Sequence, residues 1–271
     1  MSNIKKIVHL ADIHIRTYRM HAEYNEVFES LYESLKEELK DFSYDEIRIV
    51  VVGDLVHQKI TISNEQLMLS CNFLHKLSEI APLIVVAGNH DLLENNKDRL
   101  DSITPIIQLL RNDNIRYYKE SLCYLDENVV WCNYSIFEEN KRPDIEEGRK
   151  LHGDKTYIGL FHGPLIGAKT DIGYEFEHGT ALEHFEGCDV VMLGDIHKIQ
   201  EFNYRGIPIR YCGSLIQQNF GESIDNHGYS LWDLESKTNK HVEIPNDYGF
   251  FQFKISSPDD IANDNEILIN K

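Results

Sequence analysis

Apolar and polar positions switch between two periods along this chain, and the switches lay out its elements. Residues 7–10 form a short apolar run that predicts a strand; over residues 23–39 the apolar Val27, Leu31, Leu35 and Leu39 recur at helical spacing between acidic residues. Residues 47–52 are almost continuously apolar, as in a strand buried on both faces. Ser63, with Gln66 three residues on, predicts the cap of a helix that runs to about Ile80, followed by a third buried strand over residues 83–87. Two strand–helix units in succession favour a parallel sheet.

The second half has fewer long helical patterns. A helix is predicted over residues 103–110, and strands over 129–134, 157–161, 190–193, 207–211 and 229–233. The pattern suits an α/β fold with a mixed sheet, or two sheets packed face to face with helices outside. The charged stretch 138–154, which holds Pro and Gly, reads as an exposed connection, and no internal repeat or low-complexity tract is visible.

A length of 271 residues is enough to bury a full core as one large domain or one and a fraction. The formal charge of −18, from 27 Lys+Arg against 45 Asp+Glu, argues against gripping phosphate backbones by general electrostatics. It leaves a nucleic-acid substrate open, because some carboxylates would face cations and a partner chain could supply basic surface. The five cysteines, Cys71, Cys123, Cys132, Cys188 and Cys212, are odd in number and widely spread, which predicts buried thiols and a reducing, cytoplasmic compartment. The amino terminus leads directly into the first strand, and no long apolar stretch predicts a signal or membrane helix.

Five polar islands follow apolar runs in a fixed order: Asp12-Ile13-His14, Gly53-Asp54-Leu55-Val56-His57, Gly88-Asn89-His90-Asp91, Phe161-His162-Gly163 and Gly194-Asp195-Ile196-His197. Strand ends are where α/β proteins build their sites. Each island alone is weak; together they point to a site for two divalent cations. Asp12 and His14, two residues apart, would project to one side of an extended backbone, and so would Asp195 and His197. The carboxylate of Asp54 has two oxygens with which to bridge two ions, Asn89 offers a carbonyl oxygen, and His162 offers an imidazole nitrogen. Mixed oxygen and nitrogen donors without thiolate suit Mn²⁺, Fe²⁺ or Zn²⁺ better than an all-oxygen Ca²⁺ site. The glycines beside these residues leave room for tight turns or substrate.

These motifs resemble the calcineurin-like metallophosphoesterase superfamily, whose pattern runs D-x-H, G-D, G-N-H-D or E, H, and G-H-x-H. Within it the chain is most similar to the Mre11/SbcD nuclease family, including the recombination nuclease subunits of large phages. The words that carry this narrower match are residues 7–14, 53–57 and 194–200, then Tyr211-Cys212-Gly213-Ser214 and residues 228–234. The likeness spans residues 4–245.

The resemblance implies a four-layer αββα sandwich with two mixed β-sheets over residues 1–245. It implies that residues 246–271 begin a capping domain, truncated or missing here, whose first strand starts at Tyr248. It implies that Asp12, His14 and His197 hold one metal, that Asp54 bridges, and that Asn89, His162 and Asp195 hold the second, with Mn²⁺ foremost and Mg²⁺, Fe²⁺ or Zn²⁺ as alternatives. His90 would be the catalytic histidine and His57 an outer participant. Asp195 departs from the pattern, which has histidine there; a carboxylate would weaken the cations as Lewis acids and favour harder ions such as Mn²⁺ or Mg²⁺.

The activity implied is single-strand endonuclease and 3′ to 5′ double-strand exonuclease action on DNA, in recombination and repair, with an SMC-like ATPase partner of the Rad50/SbcC type and a homodimer as the usual assembly. Its location would be cytoplasmic, that of the host for a phage-borne version, with no membrane partner. Two other readings remain. One is a cyclic-nucleotide phosphodiesterase or phosphomonoesterase of the same superfamily; the G-D-x-V-D-R-G signature of protein phosphatases is absent, since His57-Gln58 stand where it has D-R. The other is a non-catalytic scaffold on the same fold. Arg16, Arg19 and Lys59, just past the islands, and the loop 163–179 are candidates to touch substrate.

Overall fold

The structure is a computed structural model that describes residues 3–138 and 140–251. Its strands are β1 (Lys6–Leu10), β2 (Ile47–Val52), β3 (Leu83–Val86), β4 (Ile115–Tyr117), β5 (Cys123–Asp126), β6 (Val129–Tyr134), β7 (Thr156–His162), β8 (Val190–Gly194), β9 (Gln200–Tyr204), β10 (Ile207–Tyr211), β11 (Gly228–Asp233) and β12 (Thr238–Glu243). The helices are α1 (His21–Glu38), α2 (Asn64–Ile80), α3 (Ile103–Leu110) and α4 (Ile145–His152), with 3-10 turns at Tyr44–Glu46 and Leu182–Phe185.

Two six-stranded sheets form, ordered β12-β11-β1-β2-β3-β4 and β5-β6-β7-β8-β10-β9. Both are mixed. In the first, β1, β2, β3 and β4 are parallel while β11 and β12 join antiparallel; in the second, β6, β7, β8 and β10 are parallel and β5 and β9 are antiparallel edges.

Side-chain alternation along the central strands sorts the apolar residues into three layers. Val8, Leu10, Ile49, Val51 and Val85 face α1, α2 and α3, where Phe28, Leu31 and Phe73 meet them. Ile7, Val50, Val52, Trp131, Ile158, Leu160, Met192 and Trp232 fill the space between the sheets. Val130, Tyr157, Val191 and Leu193 face the opposite side, covered by Ile145 of α4 and by Phe185. The result is an α/β sandwich of helices, sheet, sheet and helices. Each fully buried Val, Leu or Ile contributes roughly 1.5–3 kcal/mol, so the middle layer strongly favours docked sheets. A buried ion pair reinforces it, with Arg48 on β2 donating to both Asp126 oxygens on β5 at 2.7 and 2.9 Å.

The Ser63 cap forms as expected, with its hydroxyl accepting from Gln66 N at 3.2 Å. The stretch 138–154 is not a plain connection: it contains α4, capped by Asp144, which accepts from Glu147 N at 2.8 Å. Gly148 lets this helix lie close to the sheet, since a Cβ there would stand 3.3 Å from both Cys123 Sγ and Tyr157 Cε1. All five cysteines are free thiols; Cys132, Cys188 and Cys212 are buried, whereas Cys71 and Cys123 are only partly so. No described helix is long and apolar enough to cross a membrane.

The strand expected from Tyr248 is not formed over residues 248–251. There the chain lies against the loop after β10, with Phe250 N donating to Gln217 Oε1 at 2.6 Å and the Phe250 ring 5.2 Å from Phe220. The rest of the expected capping segment, residues 252–271, lies outside the described residues.

Candidate metal centre

Every island sits at the carboxyl end of a parallel strand. Asp12 and His14 follow β1, Asp54 and His57 follow β2, Asn89 and His90 follow β3, His162 ends β7, and Asp195 and His197 follow β8. Because these strands run the same way in two face-to-face sheets, the side chains converge at one edge of the seam between them.

The local backbone differs from the extended geometry expected for the two pairs. Asp12, His14 and Asp54 are left-handed, with φ of 54°, 51° and 55°, and Asp195 has φ 97°. Such conformations cost a non-glycine residue of order 1–3 kcal/mol and persist only when the surroundings fix them. Here the fixing contacts are Asp12 N to Gly53 O at 3.1 Å and His14 N to Asp54 O at 2.9 Å. Tyr24 Oη also donates to His14 O at 2.5 Å. Turned strand ends, rather than pleat alternation, aim these side chains inward.

Two donor groups result. His14 Nε2 lies 3.0 Å from His197 Nε2, and Asp12 Oδ1 is 3.9 Å from that same His197 atom. On the other side His162 Nε2 lies 3.2 Å from Asn89 Oδ1 and 3.9 Å from Asp195 Oδ1. Asp54 stands between them, with Oδ2 3.4 Å from His14 Nε2 and Oδ1 3.4 Å from His162 Nε2. Asp12, His14 and His197 form one cluster with atoms in metal-ligand reach of one another, and Asp12, Asp54 and His162 form another.

His162 is held by backbone on three sides. Its Nδ1 faces Val52 O at 2.8 Å, which makes Nδ1 the protonated nitrogen and leaves the Nε2 lone pair for the site. A Cβ on Gly53 would stand 2.1 Å from His162 Nδ1, and one on Gly88 2.2 Å from Asp54 Oδ1 and 2.6 Å from His162 Nε2. A Cβ on Gly194 would lie 2.1 Å from Val52 O and 2.7 Å from His162 Nδ1. These glycines make room for the imidazole slot itself.

Asp12, Asp54 and His162 are buried. In the protein alone, burial pushes the Asp12 carboxyl up to about 7, against the pull of His197 and His162. Burial also opposes the charge on Asp54, but His162, His14 and His90 outweigh it and hold Asp54 below the usual carboxylate range. Burial penalises charge on His197, yet its hydrogen bond to Glu222 and the charges of Asp12 and Glu222 lift it to about 9. In the protein alone the charge balancing these carboxylates comes from His197 and from His162, which burial disfavours but Asp54, Asp12 and Asp195 raise; bound cations would take over that role.

Divalent cations fit it. Two nitrogens bound at about 2.1 Å and at a right angle are about 3.0 Å apart, the spacing of the His14 and His197 Nε2 atoms. Asp54 presents one oxygen to each cluster, as a bridging carboxylate must, and no thiolate is present. Asp12, His14, Asp54, His162 and His197 could hold two ions, with Asn89 Oδ1 and Asp195 Oδ1 close enough to His162 Nε2 to join them.

His57 and His90 adjoin this set, and with His14 they form a third group of ring nitrogens within metal-ligand reach of one another. The His57 and His90 rings stack with centroids 5.1 Å apart, and His57 Nδ1 is 3.3 Å from His14 Nδ1. Burial, then Arg16 and His90, lower His57 to about 4, so the ring is neutral at pH 7. His90 Nδ1 faces His57 O at 2.7 Å, which commits Nδ1–H and leaves Nε2 as the atom available to a substrate. Arg16 lines the same open cavity, its guanidinium donating to Gln218 O at 3.0 Å. Lys59 is drawn off to Glu94, 2.5 Å away, and Arg19 is exposed on the loop beyond Arg16.

Two residues support the site from behind: Asp91, which ends the third island without an assigned role, and Glu222, which the sequence did not single out. Asp91 is buried and accepts from Gly88 N at 2.8 Å and Val56 N at 3.0 Å, tying two of the islands together. Glu222, 25 residues beyond His197, accepts from its Nδ1 at 2.8 Å and so aims Nε2 at the site. Nothing marked Glu222 in the sequence, since one acidic residue in a polar loop has no periodic or motif context.

Residues 5–199 match the family model described as calcineurin-like phosphoesterase. An uncharacterized protein of Acanthamoeba polyphaga mimivirus, R555, is 42% identical over 261 residues. The aligned region takes in 94% of this chain and 19% of that relative, so the chain spans about a fifth of the relative's length.

Proposed function

From the premise that the chain belongs to the calcineurin-like phosphoesterase family, we propose that it is a two-metal phosphodiesterase whose substrate is DNA. The observation that supports this most directly is Asp54, with one oxygen 3.4 Å from a nitrogen of each cluster. Two cations so placed would activate a water and draw charge from the non-bridging oxygens of a phosphate. The chain's own residues do the rest. Asp12, His14 and His197 would hold one ion, Asn89, His162 and Asp195 the other, and Asp54 would face both. His90, with Nδ1 anchored on His57 O, presents Nε2 to the leaving oxygen and, when protonated, gives it a proton. Arg16, which lines the open cavity, would face a phosphate oxygen there.

DNA as substrate, with single-strand endonuclease and 3′ to 5′ exonuclease action, follows from the resemblance of residues 7–14, 53–57 and 194–200 to the Mre11/SbcD nucleases. An SMC-like ATPase is the partner that reading calls for. The net charge of −18 is consistent with basic surface supplied by another chain.

The test is metal analysis combined with cleavage of a single-stranded oligonucleotide, a cyclic nucleotide and phenyl phosphate in Mn²⁺. The expected result is two ions per chain and cleavage of the oligonucleotide, lost in Asp54→Asn. Hydrolysis of phenyl phosphate alone would overturn the diesterase reading, and intact DNA with bound metal would overturn the nuclease reading.

A further inference from the structure

Asp195 lies where three cavities meet. One is the open cavity over His14, Asp54, His90 and Arg16. A second, of about 340 Å³, opens beyond His197 between Ile172, Phe176 and Lys198. The third, of about 310 Å³, leads away past Asn89 and His162. A phosphorus at the metal centre therefore has room for a substituent on each side, which a diester needs and a monoester does not.

The third cavity has the chemistry of an aromatic site. Tyr134, Phe161 and His184 line it, with ring centroids 5.0 Å apart for Tyr134 and His184 and 6.2 Å for Phe161 and His184. Of its acids, Glu138 pairs with Lys141 at 2.9 Å, Glu94 pairs with Lys59, and Asp195 belongs to the metal centre. Among the described residues the His184 side chain makes no hydrogen bond. Burial and the charge of Arg142 lower it to about 4, so at neutral pH it offers one donor and one acceptor. A volume of about 310 Å³ is near the small end of the roughly 300–1,000 Å³ usual for ligand pockets. It suits one nucleotide rather than a longer segment.

We propose that this cavity holds the nucleobase of the nucleotide next to the scissile phosphate, stacked on Phe161 and His184. The proposal rests on the phosphodiesterase reading, and it gives an acidic chain a grip that does not depend on basic side chains. Stacking on aromatic rings tolerates every base, as a nuclease without sequence preference requires. Thr180, which also lines the cavity, offers a hydroxyl to the base edge without selecting one base.

The experiment is equilibrium binding to the Mn²⁺-loaded full chain, comparing thymidine 5′-monophosphate with 2-deoxyribose 5-phosphate, which has the phosphate and sugar but no base. The nucleotide should bind about 10-fold or more tightly. His184→Ala and Phe161→Leu, each checked for wild-type melting, should shrink that ratio about 5- to 10-fold, and Phe161→Tyr should restore it. Equal binding of the two probes by the wild type would overturn the proposal. So would a preference that survives both substitutions, since the base would then be held elsewhere. Base-dependent binding without DNA cleavage would support the pocket and overturn the nuclease reading; cleavage with equal binding would do the reverse.

Discussion

Replacing Glu222 isolates the contribution of one hydrogen bond to the metal centre. Its Oε1 accepts from His197 Nδ1 at 2.8 Å and Asn219 Nδ2 at 2.6 Å, and its Oε2 accepts from Gln218 N at 2.8 Å. Glu222→Ala frees His197 to rotate away from His14 and strips a donor role from none of its neighbours but a partner from all three. Loss of such an outer partner typically weakens metal binding by about 10–100-fold, equal to roughly 1.4–2.7 kcal/mol. The unpartnered Gln218 amide adds a folding cost of about 1–3 kcal/mol. Glu222→Gln has a single acceptor oxygen, so it serves either His197 or Gln218 N, and its effect should fall between wild type and alanine. Mn²⁺ titration of metal-stripped protein by calorimetry reads the affinity, and thermal melting without metal reads the fold. A Glu222→Ala protein that binds Mn²⁺ as tightly as wild type would refute the orienting role.

Other substitutions test separate parts of the site and the frame. His90→Gln should keep both ions by metal analysis and lose about 10²–10⁴-fold in kcat on DNA, the range for an acid–base group; full turnover would end the proton-donor assignment. Asp195→His removes one negative charge from the centre and should shift preference from Mn²⁺ or Mg²⁺ toward Zn²⁺, read as relative affinity in competition titrations. Burial opposes the charge on Asp126, but the hydrogen bonds and charge of Arg48, then Arg116 and Trp131, hold its carboxyl below the usual range. Its stabilising contribution is thus complete above the unfolded value of about 3.9 and is lost as pH falls from there through the lower folded value. Urea unfolding from pH 6 to pH 2 should show that loss, and Asp126→Ala, which strands buried Arg48, should cost about 3 kcal/mol or more at pH 7 and remove this part of the acid sensitivity.

How much of this could be read from the chain depended on where each element sits. The eight strands found by pattern are the interior ones, such as β2, whose two faces meet two apolar layers and leave a continuous Ile-Val signal. The four that escaped, β4, β5, β9 and β12, are the four sheet edges. Edge strands can be short and half solvated: Gln200–Tyr204 alternates only between partly buried and exposed positions, and Thr238–Glu243 has Val242 as its one apolar residue. Helix α4 was hidden because Ile145 is its main apolar anchor while Leu151 is exposed. The islands were legible because their residue types are rare in that order. Their left-handed backbone was not, since it is imposed by contacts such as His14 N to Asp54 O that join different strand ends.

The slot around His162 is assembled from parts that meet only late. Gly53 and Val52 O come from the first sheet, whereas His162 and Gly194 come from the second. Neither sheet by itself can present the Asp54–His162 pair, so tight cation capture reports closure of the whole sandwich rather than the appearance of helices or of either half. The bound ions would act as rivets across the seam, and weakening the Trp131 and Trp232 layer should loosen the cations before it melts the strands.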